Sequence, residues 1–284
     1  MPTVPRVLSI AGTDPTGGAG IHADLKSIAA NGGYGMAAVT ALVAQNTRGV
    51  RSIHVPPPAF LAEQLDAVSD DVEIDAVKIG MLFDSDIVAV VQDWLARVRP
   101  PRVVLDPVMI AASGDTLLAP DAVEAVRALV AHVDLVTPNM PELAALLGEP
   151  PATRWPDVLD QARRLAAAHG VRVLAKGGHL AGAHSPDALV GPDGTTTEFA
   201  TARVDTRNTH GTGCSLSSAV ATLRVRADSW EAALEAAKRW LTASIAAADE
   251  LHVGGGSGPV SHFAQLWAQA GGQASPQPAA RASR

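Results

Sequence analysis

The sequence contains a single cysteine, Cys214, in 284 residues. No intramolecular disulfide can form, which fits a reducing, cytoplasmic setting. There is no CxxC pair, and the nine histidines show no metal-ligand spacing, so nothing points to zinc. Positive charge is scarce. The formal net charge is −7, and lysine supplies only four of the 22 cationic side chains. An acidic chain without a basic run is a poor partner for nucleic acid or an anionic membrane. Long apolar runs are missing as well. The stretch from Val7 to Ala11 stops at Gly12 and Asp14, too short for a signal-peptide core or a membrane span. Two common nucleotide signatures are also absent. No GxxxxGK[ST] occurs, and the loop carrying Gly18 and Gly20 lacks the last glycine of GxGxxG.

What is present is a rhythm. Short apolar runs alternate with helical patterns: 6–12, 36–45, 76–82, 102–108, 133–139 and 171–178 read as strands, and 19–31, 58–71, 85–98, 120–130, 140–148 and 155–170 as helices. Repeated βα units with short links predict a mostly parallel sheet covered by helices on both faces. Residues 186–205 break the rhythm and read as a hairpin; two helices follow, near 212–226 and 230–249. The apolar fraction of 47% supports a large core. No linker divides the chain, so residues 1–268 are expected to form a single domain and 269–284 a disordered tail.

Ligands of such sheets bind beyond the carboxyl ends of the strands. The Gly-rich and polar segments fall there: 12–20, Gln45, Gly80-Met81, 106–116, 137–142, 176–179 and 208–214. Loops are polar in any protein, but so many carrying Gly with Asp, Asn, Lys or Gln suggest a site. The sharpest segment is NTHGTGCSLSSAVATLR (208–224), a Gly-rich turn opening into a small-residue helix. Gly211 and Gly213 allow close backbone approach. The N–H groups of Gly213, Cys214 and Ser215 would face an anion along the helix dipole. The same residues also suit a plain tight helix start. Cys214 is either a buried structural cysteine or a thiol whose pKa the helix N-terminus lowers. AGTDPTGGAGIHADLK (11–26) reads as a second Gly-rich loop that, with Asp24, lines a small-molecule pocket or simply turns the chain. Asp106 ends a strand, and Asn139 and Glu142 open a helix. The two carboxylates could hold Mg²⁺, which needs few protein ligands, although a first-turn Glu is also favoured by the helix dipole alone. Lys176 stands at a strand end before two glycines.

Taken together, IAGTDPTGGAGIHADLK, TALVAQNTRGV, KIGML, LDPVM with SGDTLL, TPNMPE, KGGH, NTHGTGC and GPVSHF form an ordered set over residues 5–268. On these motifs the chain resembles the hydroxymethylpyrimidine/phosphomethylpyrimidine kinases of the ribokinase-like superfamily. The resemblance implies a three-layer α/β/α fold and a cytoplasmic homodimer. It also implies transfer of the ATP γ-phosphoryl group to 4-amino-5-hydroxymethyl-2-methylpyrimidine and then to its monophosphate. It places Gly12, Asp24, Gln45, Met81 and Val108 around the pyrimidine. Asn139, Lys176, Thr209 and Thr212 would face ATP, and Asp106 and Glu142 would organise Mg²⁺. The GTGC turn, with Gly211, Gly213 and Cys214, would be catalytic. Most of the superfamily has Asp where Cys214 stands, which puts the thiol's role as proton acceptor in doubt. Accepting a phosphorylated substrate implies that the loop after Val108, with Ala111, Ala112, Ser113 and Gly114, moves. A pyridoxal kinase of the same superfamily and a non-catalytic pyrimidine-binding protein are the competing readings.

Overall fold

The computed structural model describes residues 3–110 and 114–273. Its centre is an eight-stranded sheet. The strands are β1 (Arg6–Ala11), β2 (Tyr34–Val39), β5 (Ala76–Ile79), β6 (Val103–Leu105), β7 (Leu135–Val136), β8 (Arg172–Lys176), β9 (His184–Val190) and β10 (Thr196–Ala202). They lie in the order β10-β9-β8-β7-β6-β5-β1-β2. The six from β2 to β8 are parallel; β9 and β10 add antiparallel. Central strands such as β5 are buried at every position, as expected where helices cover both faces.

One face is covered by α2 (Pro58–Ser69), α3 (Ser85–Val98), α4 (Ala122–Leu129), α5 (Met140–Leu147) and α6 (Trp155–His169), packed on the alternate strand residues Leu8, Ile10, Val77, Ile79, Val103 and Leu105. The other carries α1 (Gly20–Ala30), α7 (Thr212–Arg224) and α8 (Trp230–Ala246) over Val7, Ala76, Val104 and Leu135. This is the expected three-layer arrangement. The period of 2 along each strand sends successive apolar residues to opposite layers. Among the described residues no helix is long and apolar enough to cross a membrane.

The expected strand over 36–45 is two strands in two sheets. β2 ends at Val39; after Thr40 and Ala41 the chain leaves the main sheet and forms β3 (Leu42–Asn46), which pairs with β4 (Gly49–His54) as a separate hairpin. The break comes where Thr40 Oγ1 donates to the Met81 carbonyl at 2.6 Å and Thr13 N–H to the Ala41 carbonyl at 2.9 Å. Tertiary bonds thus turn a chain whose local propensity is continuous. The last helix, α9, runs Ala264–Gln273 and so covers the first residues of the expected tail; residues 274–284 lie outside the described residues. So do Ala111, Ala112 and Ser113 of the loop expected to move; around them, Ile110 bridges Thr116 and Leu117 N–H donates to the Met109 carbonyl at 2.9 Å.

Candidate active site

After β1 the chain crosses to β2 on one side and, later, to β5 on the other. This reversal leaves a crevice at the carboxyl ends of β1, β5 and β6. Two Gly-rich loops meet in it. Asp14 accepts hydrogen bonds from the backbone of Thr16, Gly18 and Ala19, from the Thr16 hydroxyl and, at 2.8 Å, from His210. Burial acts to raise the Asp14 carboxyl, but the His210 and Thr16 bonds prevail and hold it well below the usual range. Gly211, at φ +78°, packs on the same loop: a Cβ there would lie 1.7 Å from the Gly18 carbonyl oxygen.

The first turn of α7 then faces the ends of β6 and β8. A Cβ on Gly213 would be 3.3 Å from Lys176 Nζ and 3.4 Å from Asp106 Oδ2. Lys176 donates to Asp106 Oδ1 at 2.8 Å, and Thr137 donates to the same oxygen at 3.0 Å. Asn139 bridges Lys176 along the backbone and caps α5. Its side chain accepts from Glu142 N–H at 2.9 Å while Glu142 accepts from Asn139 N–H at 2.8 Å, a capping box. Glu142 therefore caps the helix, as a first-turn Glu is expected to, and also stands in the charged cluster. Burial pushes its carboxyl up to about 7, with Lys176 lowering it and Asp106 raising it. Burial would also raise Asp106, but Lys176 and then Lys78 outweigh this and lower it. Desolvation works against the Lys176 ammonium, yet Asp106 and Glu142 raise its pKa. The site thus brings together Asp106, Asn139, Glu142, Lys176 and Gly213.

Of the three N–H groups expected to face an anion, Ser215 is already engaged, donating to the Gly211 carbonyl at 2.8 Å. Gly213 and Cys214 are left without a carbonyl partner among the described residues, so two N–H groups, not three, are open at the start of α7. The Thr212 hydroxyl donates to the Thr209 carbonyl at 2.6 Å, which occupies its proton; Thr209 itself is exposed. For Cys214 the structure favours the buried thiol over the activated one. Burial pushes its thiol up to about 11; Lys78 and the Gly20 N–H pull down, while Asp24 and Asp106 push up. The helix N-terminus does not make it a thiolate near pH 7.

On the other side of the crevice Gly12, Met81 and Val108 come together as expected. A Cβ on Gly12 would lie 2.7 Å from Met81 Cε, and Met81 packs with Ala41, Val43, Leu117 and Val108 beneath the β3–β4 hairpin. Gln45 sits at the hairpin's register shift, half-buried. Asp24 does not join them. It is fully buried and accepts from Lys78 Nζ at 2.8 and 2.9 Å, from Ser9 at 2.6 Å and from Ser218 at 2.8 Å. Its four acceptor directions are taken, so it has none to offer a ligand.

Three features escaped the sequence reading. The hairpin tip is tied across the crevice: Gly256 N–H donates to Thr47 Oγ1 at 3.1 Å and Ser257 N–H to the Thr47 carbonyl at 3.1 Å. The signal was GGGSG at 254–258, whose close backbone approach glycine permits; Cβ atoms on Gly254 and Gly256 would lie 2.3 and 1.9 Å from Thr47 atoms. Beside this tie a cleft of about 590 Å³ is lined by Thr206, Asn208, Asp249 and Val253, among others, a size that suits a nucleotide portion. Behind α7, Ser215 Oγ and His262 Nε2 are 2.9 Å apart and buried.

Burial pushes His262 down to about 4, helped by Lys26. A histidine near 6.5 in the unfolded chain then takes up its proton before the folded one does, so stability is full above that pH and falls as pH drops toward 4, by up to about 3 kcal/mol. The urea midpoint should be lower at pH 5 than at pH 7.5, and His262→Gln should flatten that difference. A difference of the same size in the variant would assign it to other groups.

The family model described as phosphomethylpyrimidine kinase matches residues 14–261. Hydroxymethylpyrimidine/phosphomethylpyrimidine kinase of Salmonella typhimurium is 53% identical over 263 residues, covering 92% of this chain and 98% of that protein. A thiamine biosynthesis multifunctional protein of Corynebacterium efficiens is 57% identical over 261 residues, 92% of this chain; the chain spans only 35% of that longer protein. Among solved structures, Bacillus subtilis pyridoxal kinase with ADP superposes with a TM-score of 0.83 at 30% identity, covering 93% of this chain and 99% of that one. Phosphomethylpyrimidine kinase of Clostridium difficile gives 0.74 at 34% identity, over 84% and 98%. Asp14 and His210, which lock the two Gly-rich loops together, and the cluster these loops face lie within the matched span, and the chain belongs to the phosphomethylpyrimidine kinase family.

Proposed function

We propose that this chain transfers the γ-phosphoryl group of ATP to the hydroxymethyl oxygen of 4-amino-5-hydroxymethyl-2-methylpyrimidine, and then to the phosphate of the monophosphate, in thiamine biosynthesis. The observation that carries this reading is the convergence of Lys176, Asp106 and the Gly213 backbone at one helix N-terminus. An ammonium and two open N–H groups aimed at one point form a cradle for a transferring phosphoryl group. Met81, Val108 and Gly12 offer a flat apolar slot for the ring, and Gln45 a donor and an acceptor for its polar edge. The cleft beside Asn208 takes the nucleoside end of ATP, next to Thr209.

Mg²⁺ fits the charge of the site. Asp106 and Glu142 stand together beside Lys176, Asp106 keeps Oδ2 outside the bonds to Lys176 and Thr137, and the Glu142 carboxyl is raised by burial and by Asp106. Asp106 and Glu142 would hold the ion directly or through water. When bound, it supplies charge neutralisation to the phosphate oxygens. Lys176 steadies the same oxygens, and the Gly213 and Cys214 N–H groups hold the phosphoryl group in flight. With its thiol near 11, Cys214 contributes chiefly its backbone. In a loose transition state the hydroxyl proton departs late, so the demand for a strong base is small. We also propose a single catalytic domain, a homodimer and a cytoplasmic location, in keeping with the lone cysteine.

The structural likeness to pyridoxal kinase favours one second reading, phosphorylation of pyridoxal, which also carries a ring hydroxymethyl group. Purified protein with ATP and Mg²⁺ is offered each substrate separately, and products are resolved by mass. Monophosphate followed by diphosphate of the pyrimidine is the expected result. Transfer to pyridoxal alone would move the assignment to that activity and withdraw the roles given to Gln45 and Met81.

A further inference from the structure

Lys78 lies on the central strand β5, between Val77 and Ile79, and is fully buried. A lysine is almost never found there unless paired. Its side chain runs along the strand toward the carboxyl end: a Cβ on Gly80 would lie 2.8 Å from Lys78 Nζ. The missing side chain at Gly80 makes room for the ammonium at the floor of the active site. There Asp24 of α1 accepts from the Lys78 ammonium on each carboxylate oxygen. Ser9 of β1 and Ser218 of α7 complete the carboxylate's bonds. Ser218 is one helical turn beyond Cys214, on the same face of α7. Four elements thus converge on one ion pair directly beneath the GTGC turn.

Stability does not explain this arrangement. A buried ion pair seldom outperforms a neutral pair of the same volume, because desolvation offsets the attraction. Position does explain it. The charged groups facing Cys214 are Lys78 from β5, Asp24 from α1, Asp106 after β6 and Lys176 from β8. Without Lys78 the turn would lose one of the two cations beneath it, at the point where phosphoryl oxygens gather. We propose that the Lys78–Asp24 pair is a positioning unit for phosphoryl transfer, fixing the first turn of α7 and holding a positive charge beneath it. Lys78 touches no substrate and acts through α7 and its N–H groups. The inference rests on the kinase reading above.

The test compares Lys78→Met with the double variant Lys78→Met/Asp24→Asn, using full-length protein, thermal unfolding and steady-state kinetics with ATP, Mg²⁺ and the hydroxymethylpyrimidine. The single variant leaves a buried unpaired carboxylate and should lose both stability and turnover. The double variant removes both charges and leaves at position 24 a neutral amide that Ser9 and Ser218 can still hydrogen-bond. Its melting temperature should return to near the wild-type value and its KM values should stay within about threefold, while kcat remains down about 50-fold. A double variant that recovers kcat along with stability would make the pair structural only and overturn the proposal. Should the double variant fail to fold, Ser218→Ala keeps both charges and frees one side of Asp24. It should lower kcat about fivefold at constant KM; an unchanged kcat would overturn the proposal equally. Wild-type protein that transfers phosphate to neither substrate removes the kinase reading and this one with it, whereas an active wild type with an indifferent variant removes only the positioning role.

Discussion

Replacing Lys176 with methionine is expected to lower kcat by about a thousandfold and to raise the KM for ATP, with the fold retained. Removing one donor that stabilises developing charge costs about 10²–10³ in rate in comparable sites. Here the lysine has two tasks. It points an ammonium at the place the Gly213 backbone also faces, and it is the direct ionic partner of Asp106, at 2.8 Å. Its loss leaves Asp106 and Glu142 as two buried carboxylates side by side, and both pKa values rise because Lys176 lowers each of them. Steady-state kinetics at saturating Mg²⁺, with circular dichroism to confirm the fold, make the measurement. A variant within tenfold of wild type would mean that the phosphoryl group passes elsewhere.

Gly211→Ala and Gly213→Ala should separate folding from transfer. At position 211 the backbone is left-handed, φ +78°, and the new methyl would lie 1.7 Å from the Gly18 carbonyl oxygen. Neither the strain nor the overlap can be relieved without parting the two Gly-rich loops. A cost of about 3–5 kcal/mol is expected, which lowers the melting temperature on the order of 10 °C in a chain of this size. Turnover should fall with it. At position 213 the methyl would sit 3.3–3.4 Å from Lys176 Nζ and Asp106 Oδ2, within a helix where alanine is favoured. The melting temperature should hold or rise slightly while kcat drops about a hundredfold, because the methyl fills the phosphoryl position. Scanning calorimetry and kinetics on both variants check the contrast. Equal losses of stability and activity in the two would refute it.

Much of this site was legible because its chemistry is local. Gly-rich turns at strand ends, Asn139 with Glu142 three residues on, and the GTGC turn are short patterns that carry their own geometry. What was not legible depends on residues distant in sequence. Asp24 looks like a pocket residue on one helix face until Lys78, 54 residues away, is seen to occupy it. The thiol of Cys214 reads from its sequence as either buried or activated by its helix position, and burial, with Asp24 and Asp106 nearby, decides for the former. Ser215 N–H looks free until the Gly211 carbonyl is located. The fold followed the same division. The βα rhythm gave the layers, but the departure of β3 from the main sheet is made by bonds from Thr13 and Thr40 to distant backbone. Lys78 itself carried a signal that was passed over: one lysine within the apolar run AVKIGML, two residues before a glycine.

The tie between Thr47 and the loop at 254–258 has a kinetic corollary. The hairpin packs on the apolar cluster around Met81, while Gly254 belongs to the rim of the cleft beside Asn208. Asn208 Oδ1 accepts from Gly258 N–H at 2.9 Å and Thr47 holds Gly256 and Ser257, so hydrogen bonds connect the hairpin tip to the residues beside the cleft. On the proposed reading, in which the hairpin covers the ring and the cleft takes the nucleoside, opening the hairpin to admit the ring would also loosen the nucleotide's neighbourhood.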